Sequence, residues 1–234
     1  MGKGVCAMRI EGNNPVFVTG VERSGSSIIA QIISLCGVFT GRTSSMYENI
    51  GIKNLLDSFF FQMKADPRGQ YPLPDLQRLV VPLNWSKKVE GSLYKDGYDG
   101  KTTWMYKSNR IAQTWPLWSL SFPNAKWIIV RRRTGDVVDS CIKTGYMDAY
   151  QDRTIQQLIG VETERDGWLW WVHEHEKMFV GMLEEGLDCK VIWPERILTG
   201  DFRQIYEMLN WLGLKWNVGI MEVLEKKLIK NHKP

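Results

Sequence analysis

The stretch Val16-Phe17-Val18-Thr19-Gly20-Val21-Glu22-Arg23-Ser24-Gly25-Ser26-Ser27 constrains the fold of this chain more than any other. Val16, Phe17 and Val18 favour a buried strand, Gly20 and Gly25 punctuate a turn, and Ser26-Ser27 open the apolar run Ile28-Ile29-Ala30-Gln31-Ile32-Ile33-Ser34-Leu35, which stops at Gly37. Strand, glycine loop and helix in that order form the opening unit of an α/β fold. The N–H groups of such a loop converge on an anion, and the helix N-terminus behind them adds partial positive charge. The expected ligand is a phosphate.

The spacing Gly20-x4-Gly25 is that of a nucleotide P-loop, yet Ser26 stands where the phosphate-reaching Lys belongs. Arg23 supplies the positive charge from inside the loop instead, and a guanidinium fork suits a tetrahedral oxyanion. Ser24, Gly25, Ser26 and Ser27 complete the cradle. The missing Lys argues against ordinary ATP chemistry. The plainer alternative is a Gly/Ser turn between a buried strand and a buried helix.

The 234 residues, 44% of them hydrophobic, suit one globular domain over 1–234 with a sizeable core. A net charge of +4, from 30 Lys and Arg against 26 Asp and Glu, is too balanced to propose nucleic acid as a partner. Cys6, Cys36, Cys141 and Cys189 are scattered, which predicts reduced thiols and a cytoplasmic setting, with no metal cluster. The segment 1–14 is polar and lacks the apolar core of a signal peptide, and Cys6 stands where a myristoylation start wants Ser or Thr. No run approaches the ~20 apolar residues of a membrane span.

Beyond the first helix, residues 39–49 form a polar connection carrying Arg42, Ser44, Ser45, Tyr47 and Glu48. Leu55, Leu56, Phe59, Phe60 and Met63 then recur at helical spacing, which predicts a helix over 50–64. Residues 66–100 are rich in Pro, Gly and Tyr with weak periodicity and read as an irregular aromatic cap over the site, bearing Tyr71, Trp85, Tyr94 and Tyr98. Thr102 to Lys107 reads as a strand with Lys107 at its carboxyl end, where ligands of open α/β sheets collect. A helix is expected over 112–122, then a buried strand over 126–130. Arg131-Arg132-Arg133 leave that strand, and Ser140 lies on the helix expected from about Thr134. A strand-end Arg and a hydroxyl on the next helix make a second oxyanion pocket.

Two oxyanion pockets on one sheet, one with a P-loop lacking its Lys, make the chain resemble the sulfotransferases that use 3′-phosphoadenosine 5′-phosphosulfate (PAPS). That family's phosphosulfate loop reads Pro, Lys or Arg, Ser, Gly, then two Thr or Ser; Glu22-Arg23-Ser24-Gly25-Ser26-Ser27 departs from it at Glu22. Its 3′-phosphate motif is an Arg at a strand end, a Pro two residues on and a Ser eight residues after the Arg; Arg132 and Ser140 keep that spacing, with Thr134 replacing the Pro. Trp193-Pro194-Glu195-Arg196-Ile197-Leu198 is similar to the family's Tyr-Glu-Asp-Leu strand end, and Asn210-Trp211-Leu212-Gly213-Leu214 to its Phe-Leu-Gly-Leu. A long helix over 161–185 with Trp168, Trp170, Trp171 and His173 resembles the family's aromatic helix near the adenine, which implies Trp171 as a nucleotide contact.

The resemblance implies a three-layer α/β/α domain with a central, mostly parallel sheet, using PAPS as sulfuryl donor, releasing 3′-phosphoadenosine 5′-phosphate (PAP) and needing no metal. By it Arg23 and its loop hold the 5′-phosphate, Lys107 stabilises the leaving group, and Arg132 with Ser140 selects the 3′-phosphate. Cytosolic members carry Lys-Thr-His with the His as base; here the residues are Lys107-Ser108-Asn109, and Asn cannot take a proton at neutral pH. Other members use a Glu after the first helix, which implies Glu48 as general base, against the alternative of an ordinary acidic residue at a helix start. His173 and His175 are poorer candidates, expected to face the adenine or solvent. Three classes stand: an active sulfotransferase acting on a small-molecule or carbohydrate acceptor, a P-loop kinase or NTPase, and a nucleotide-binding homologue without catalysis, the last motivated by Asn109. Neither the acceptor nor the oligomeric state is legible.

Overall fold

The computed structural model describes residues 14–146 and 148–231; the N-terminal segment read above for targeting signals, Cys6 included, lies outside them up to residue 13. The chain runs β1 (Val16–Gly20), α1 (Ser26–Leu35), α2 (Ile50–Gln62), α3 (Trp85–Lys95), β2 (Met105–Lys107), α4 (Trp115–Ser121), β3 (Lys126–Val130), α5 (Thr134–Thr144), α6 (Arg153–Ile159), α7 (Glu164–Glu184), β4 (Cys189–Ile192), α8 (Pro194–Leu198), α9 (Arg203–Leu212) and α10 (Gly219–Asn231). A 3-10 stretch over Asn109–Thr114 links β2 to α4, which opens with Pro116 in its first turn, where a missing N–H costs nothing.

The four strands are parallel, in the order β2-β1-β3-β4. β1 is buried along its whole length, as expected for a parallel strand covered on both faces. Its alternate side chains serve two layers. Phe17, with Tyr106, Trp127 and Ile129, joins an aromatic-rich layer containing Phe60 of α2, Trp85 of α3, Trp118 of α4, Val138 of α5 and Trp171 of α7. Val16 and Val18, with Met105, Ile128 and Val130, join an aliphatic layer containing Ile29 and Ile33 of α1, Ile205 and Leu209 of α9 and Ile220 of α10. The sheet is thus the middle of three layers. Burying Ile29, Ile32 and Ile33 completely ties α1 to the sheet at roughly 1.5–3 kcal/mol per side chain.

From β1 the chain passes to β2 on one side, and from β3 it passes to β4 on the other. The crevice between the carboxyl ends of β1 and β3 is therefore the topological switch point, where open α/β sheets bind ligands. Gly20 is in register with Val130, so the loops leaving both strands start at the same level.

The segment 66–100 differs from its sequence reading. Trp85, Val89 and Leu93, each four residues after the last, form the buried stripe of α3. Trp85 packs edge-on against Trp118 with ring centres 5.5 Å apart, and Tyr98 is buried with its hydroxyl donating to the Thr102 carbonyl at 2.7 Å. These aromatics complete the core. The segment's polar end serves the site indirectly: the Asp96 carboxylate accepts from the Arg42 N–H at 3.0 Å and the Asn49 side-chain amide at 2.9 Å, bracing the connection between α1 and α2.

Candidate active site

The loop after β1 begins with a close approach. A side chain at Gly20 would meet the Val130 carbonyl at 2.4 Å, so only glycine lets β1 and β3 end side by side here. The backbone is left-handed at Arg23 (φ 64°) and Gly25 (φ 95°), which curls the loop around its own interior. For Arg23 that conformation is a local strain, of the kind that clusters at ligand clamps. α1 follows without a side-chain cap and without an acidic residue in its first turn, leaving its first N–H groups without helical partners. The Ser24 hydroxyl is also buried and unpaired.

Arg23, Ser24, Gly25, Ser26 and Ser27 line a cavity of about 530 Å³ together with Glu48, Lys107, Asn109, Arg132 and Glu195. The two expected oxyanion elements meet across the switch point. Arg132 Nη1 donates to the Arg23 carbonyl at 3.2 Å, and Arg23 Nε donates to Ser140 Oγ on α5 at 3.0 Å. The arginine triplet divides by partner: Arg131 forms a two-pronged pair with Glu176 of α7, at 3.1 and 2.6 Å, and Arg133 lies 3.5 Å from both Asp136 and Glu195. Among the described residues, Arg132 has no carboxylate partner and faces the cavity.

Lys107 and Glu48 come together from opposite sides. Lys107 ends β2 and is almost entirely buried; Glu48 immediately precedes Asn49, whose side chain caps α2 by accepting from the Ile52 N–H at 2.9 Å. A short bridge between Thr43 and Asn49 and the bond from the Ser44 N–H to the Glu48 carbonyl, at 2.9 Å, fix this turn. Lys107 Nζ lies 3.4 Å from Glu48 Oε1. Glu48 thus stands outside α2, against a cavity lysine.

Glu22, the departure from the family loop, turns inward. It is 8% exposed, its Oε1 accepts from Asn109 Nδ2, and its Oε2 has no partner. Burial pushes its carboxyl well above the ordinary carboxylate range, opposed by a bond to its own backbone N–H and by the charge of Lys107. The sequence reading did not place Glu22 in the site; a carboxylate beside an anion loop was the available signal.

Three expectations fail in the structure. Trp171 is completely buried, donates from Nε1 to the Gly69 carbonyl at 3.1 Å and does not line the cavity; it is a core residue, not an adenine contact, because α7 turns that face toward Tyr150 and the segment around Gly69. His175 also lies in the core. Its Nδ1 donates to the Trp171 carbonyl at 3.0 Å, so its Nε2 accepts from Gln113 Nε2 at 3.1 Å, and burial pushes its pKa down to about 4. The aromatic segment 66–100 contributes none of the residues that line the cavity, whose lining includes Ser45, Met46, Tyr47 and Tyr146 instead.

No protein-family model and no curated protein matches the chain by sequence. Solved structures do match by shape. A sulfotransferase domain from the curacin biosynthetic pathway superposes with a TM-score of 0.60 at 14% identity, over 90% of this chain and 77% of that one. The chain has the sulfotransferase fold. A sulfotransferase domain from the Synechococcus PCC 7002 olefin synthase gives 0.58 at 11% identity, over 91% and 78% of the two chains. The sulfotransferase STF9 of Mycobacterium avium gives 0.53 at 14% identity, over 95% and 69%. Among the described residues no helix is long and apolar enough to cross a membrane.

Proposed function

We propose that the protein transfers a sulfuryl group from PAPS to a hydroxyl or amine of a small-molecule or carbohydrate acceptor. The observation that carries this reading is the contact between the two oxyanion elements: Arg132 and Arg23 line one cavity with Lys107 and Glu48 and are joined by a hydrogen bond, and Arg23 is bonded in turn to Ser140 behind that lining. The cavity fits such a donor, with unfilled helix N–H groups, a buried unpaired Ser24 hydroxyl and two guanidinium groups where phosphate oxygens need donors. When bound, the donor supplies a sulfuryl group on a phosphate leaving group, and charge builds on that phosphate as the group departs.

The protein's part is positioning and electrostatic stabilisation, as in phosphoryl transfer. Arg23 and the N–H groups of Gly25, Ser26 and Ser27 hold the 5′-phosphate. Arg132 and Ser140 recognise the 3′-phosphate, which ATP lacks. Lys107 meets the charge that develops on the leaving oxygen, and its contact with Glu48 fixes its ammonium group. A carboxylate takes the acceptor's proton, and Glu48 and Glu22 both stand at the cavity for that task. Cys36, Cys141 and Cys189 are free thiols, which fits a reducing, cytoplasmic setting.

The test is transfer of labelled sulfate from PAPS to a panel of carbohydrate, phenolic and lipid hydroxyl acceptors. The expected result is transfer by the wild type and its loss in Arg132→Ala. PAP binding without transfer to any acceptor would instead mark a nucleotide-binding protein that has lost catalysis.

A further inference from the structure

We propose that Glu22, oriented by Asn109, is the proton acceptor for the acceptor's hydroxyl, and that Glu48 serves as the fixed partner of Lys107. This rests on the sulfuryl-transfer reading above and assigns one of its steps.

Among the described residues three carboxyl groups line the cavity: Glu22, Glu48 and Glu195. Glu195 is engaged by Arg133, whose backbone N–H donates to its Oε1 at 3.0 Å. Glu48 is engaged by the Lys107 ammonium at 3.4 Å, and a base held by a cation gives up that contact when it takes a proton. Glu22 differs from both. Its Oε1 is held by the Asn109 amide, while Oε2 has no partner and is closed to solvent, so the carboxylate takes a proton from the cavity it lines by turning an oxygen toward it. Asn109 is itself anchored, its carbonyl accepting from Thr19 Oγ1 of β1 at 3.3 Å. A base oriented by a third group is the arrangement that proton abstraction requires.

Position supports the same choice. Glu22 adjoins Arg23 in the loop, and Asn109 lies two residues beyond Lys107, so the pair spans the gap between the donor loop and the end of β2. An acceptor hydroxyl entering there can form its new oxygen–sulfur bond while the sulfur–oxygen bond to the phosphate breaks. The leaving phosphate keeps the electron pair, and the hydroxyl proton passes to the Glu22 carboxylate. Burial also holds the Glu22 carboxyl well above the ordinary carboxylate range, the direction that makes a carboxylate a stronger base. The charged and titratable groups around it are Lys107 and Arg110 near β2, Glu48 from the connection after α1, Cys141 of α5, and Tyr146 and Tyr150 beyond that helix.

The experiment compares wild type, Glu22→Gln, Glu48→Gln and Asn109→Ala by PAP calorimetry, by the pH profile of kcat/KM for transfer from PAPS, and by Tm against pH. Glu22→Gln is expected to bind PAP as the wild type does, to lose roughly 100-fold or more in turnover, and to lose the acid limb of its profile. Glu48→Gln should keep that limb. Asn109→Ala, which removes a donor that favours the ionised carboxyl, should move the limb to higher pH. Independently of turnover, the wild-type Tm should fall as pH rises through the raised Glu22 pKa, because the folded carboxyl keeps a proton that the unfolded chain has released; Glu22→Gln should lack that fall. Wild-type turnover with an intact acid limb in Glu22→Gln, or an unchanged Tm profile, would overturn the assignment. A wild type that moves no sulfate from PAPS would overturn the functional reading and this step with it, whereas an active Glu22→Gln defeats the base assignment alone.

Discussion

The core around α7 and the cavity at the switch point both bury titratable side chains, but they satisfy them differently. In the core, both ring nitrogens of His175 are taken, and one Gln113 amide serves His175 and the Gly69 carbonyl at 3.1 and 2.8 Å. In the cavity, Glu22 Oε2 and Ser24 Oγ are buried without partners, and Arg132 has no carboxylate beside it among the described residues. A buried polar group without a partner costs about 1–3 kcal/mol unless something fills the gap. The difference lies in the titratable groups: unpaired neutral atoms occur in both regions, Gln113 Oε1 and Trp168 Nε1 in the core among them, but His175 is paired at both nitrogens whereas Glu22 keeps one carboxyl oxygen without a partner.

Substitutions should separate the two regions, with stability moving in one and chemistry in the other. The largest effect is expected for Trp171→Ala, which removes a fully buried indole and one of the two donors to the Gly69 carbonyl; it should cost about 3–5 kcal/mol in denaturant unfolding. If instead it left stability intact and weakened PAP binding, the adenine role set aside above would be restored. Lys107→Ala should lower turnover about 10²–10³-fold, the scale of losing one preorganised charge-stabilising donor, with little change in PAP affinity. A matching loss of PAP affinity would place Lys107 in ground-state binding instead.

A smaller effect is expected from pH. The His175 pKa is depressed to about 4 in the folded chain against an ordinary value near 6.5, so the neutral ring contributes stability that is fully present above 6.5. That contribution, on the order of 3 kcal/mol, should be lost as pH falls from 6.5 to 4, because the unfolded chain takes up the proton first. His175→Gln should flatten this part of the Tm profile. An unchanged profile would mean that His175 protonates without unfolding its surroundings.

Much of the fold was legible because its signals are local. A strand, a glycine loop and an apolar helix run follow one another within residues 16–35, and the spacing from Arg132 to Ser140 lies within one strand–helix junction. α3 was hidden by Gly91 inside it and by the Pro-rich stretch before it, although Trp85, Val89 and Leu93 keep a four-residue interval. Trp171 and His175 misled because helical spacing shows that residues share a face but not what that face meets. The bond between Glu22 and Asn109 joins residues 87 positions apart, through the parallel pairing of β1 and β2 that brings the two loops together. Each residue alone looked like a defect in its motif, and only their contact gives them a common role.

The central claim is that the cavity recognises a nucleotide by a 3′-phosphate at Arg132 and Ser140 and a 5′-phosphate at the Arg23 loop. Calorimetric titration of the wild-type protein with PAP and with ATP tests it most directly. Losing a charge-assisted set of hydrogen bonds is worth about 1.5–3 kcal/mol, so PAP should bind at least tenfold more tightly than ATP, and Arg132→Ala should abolish the difference. Equal affinity for the two nucleotides would contradict it.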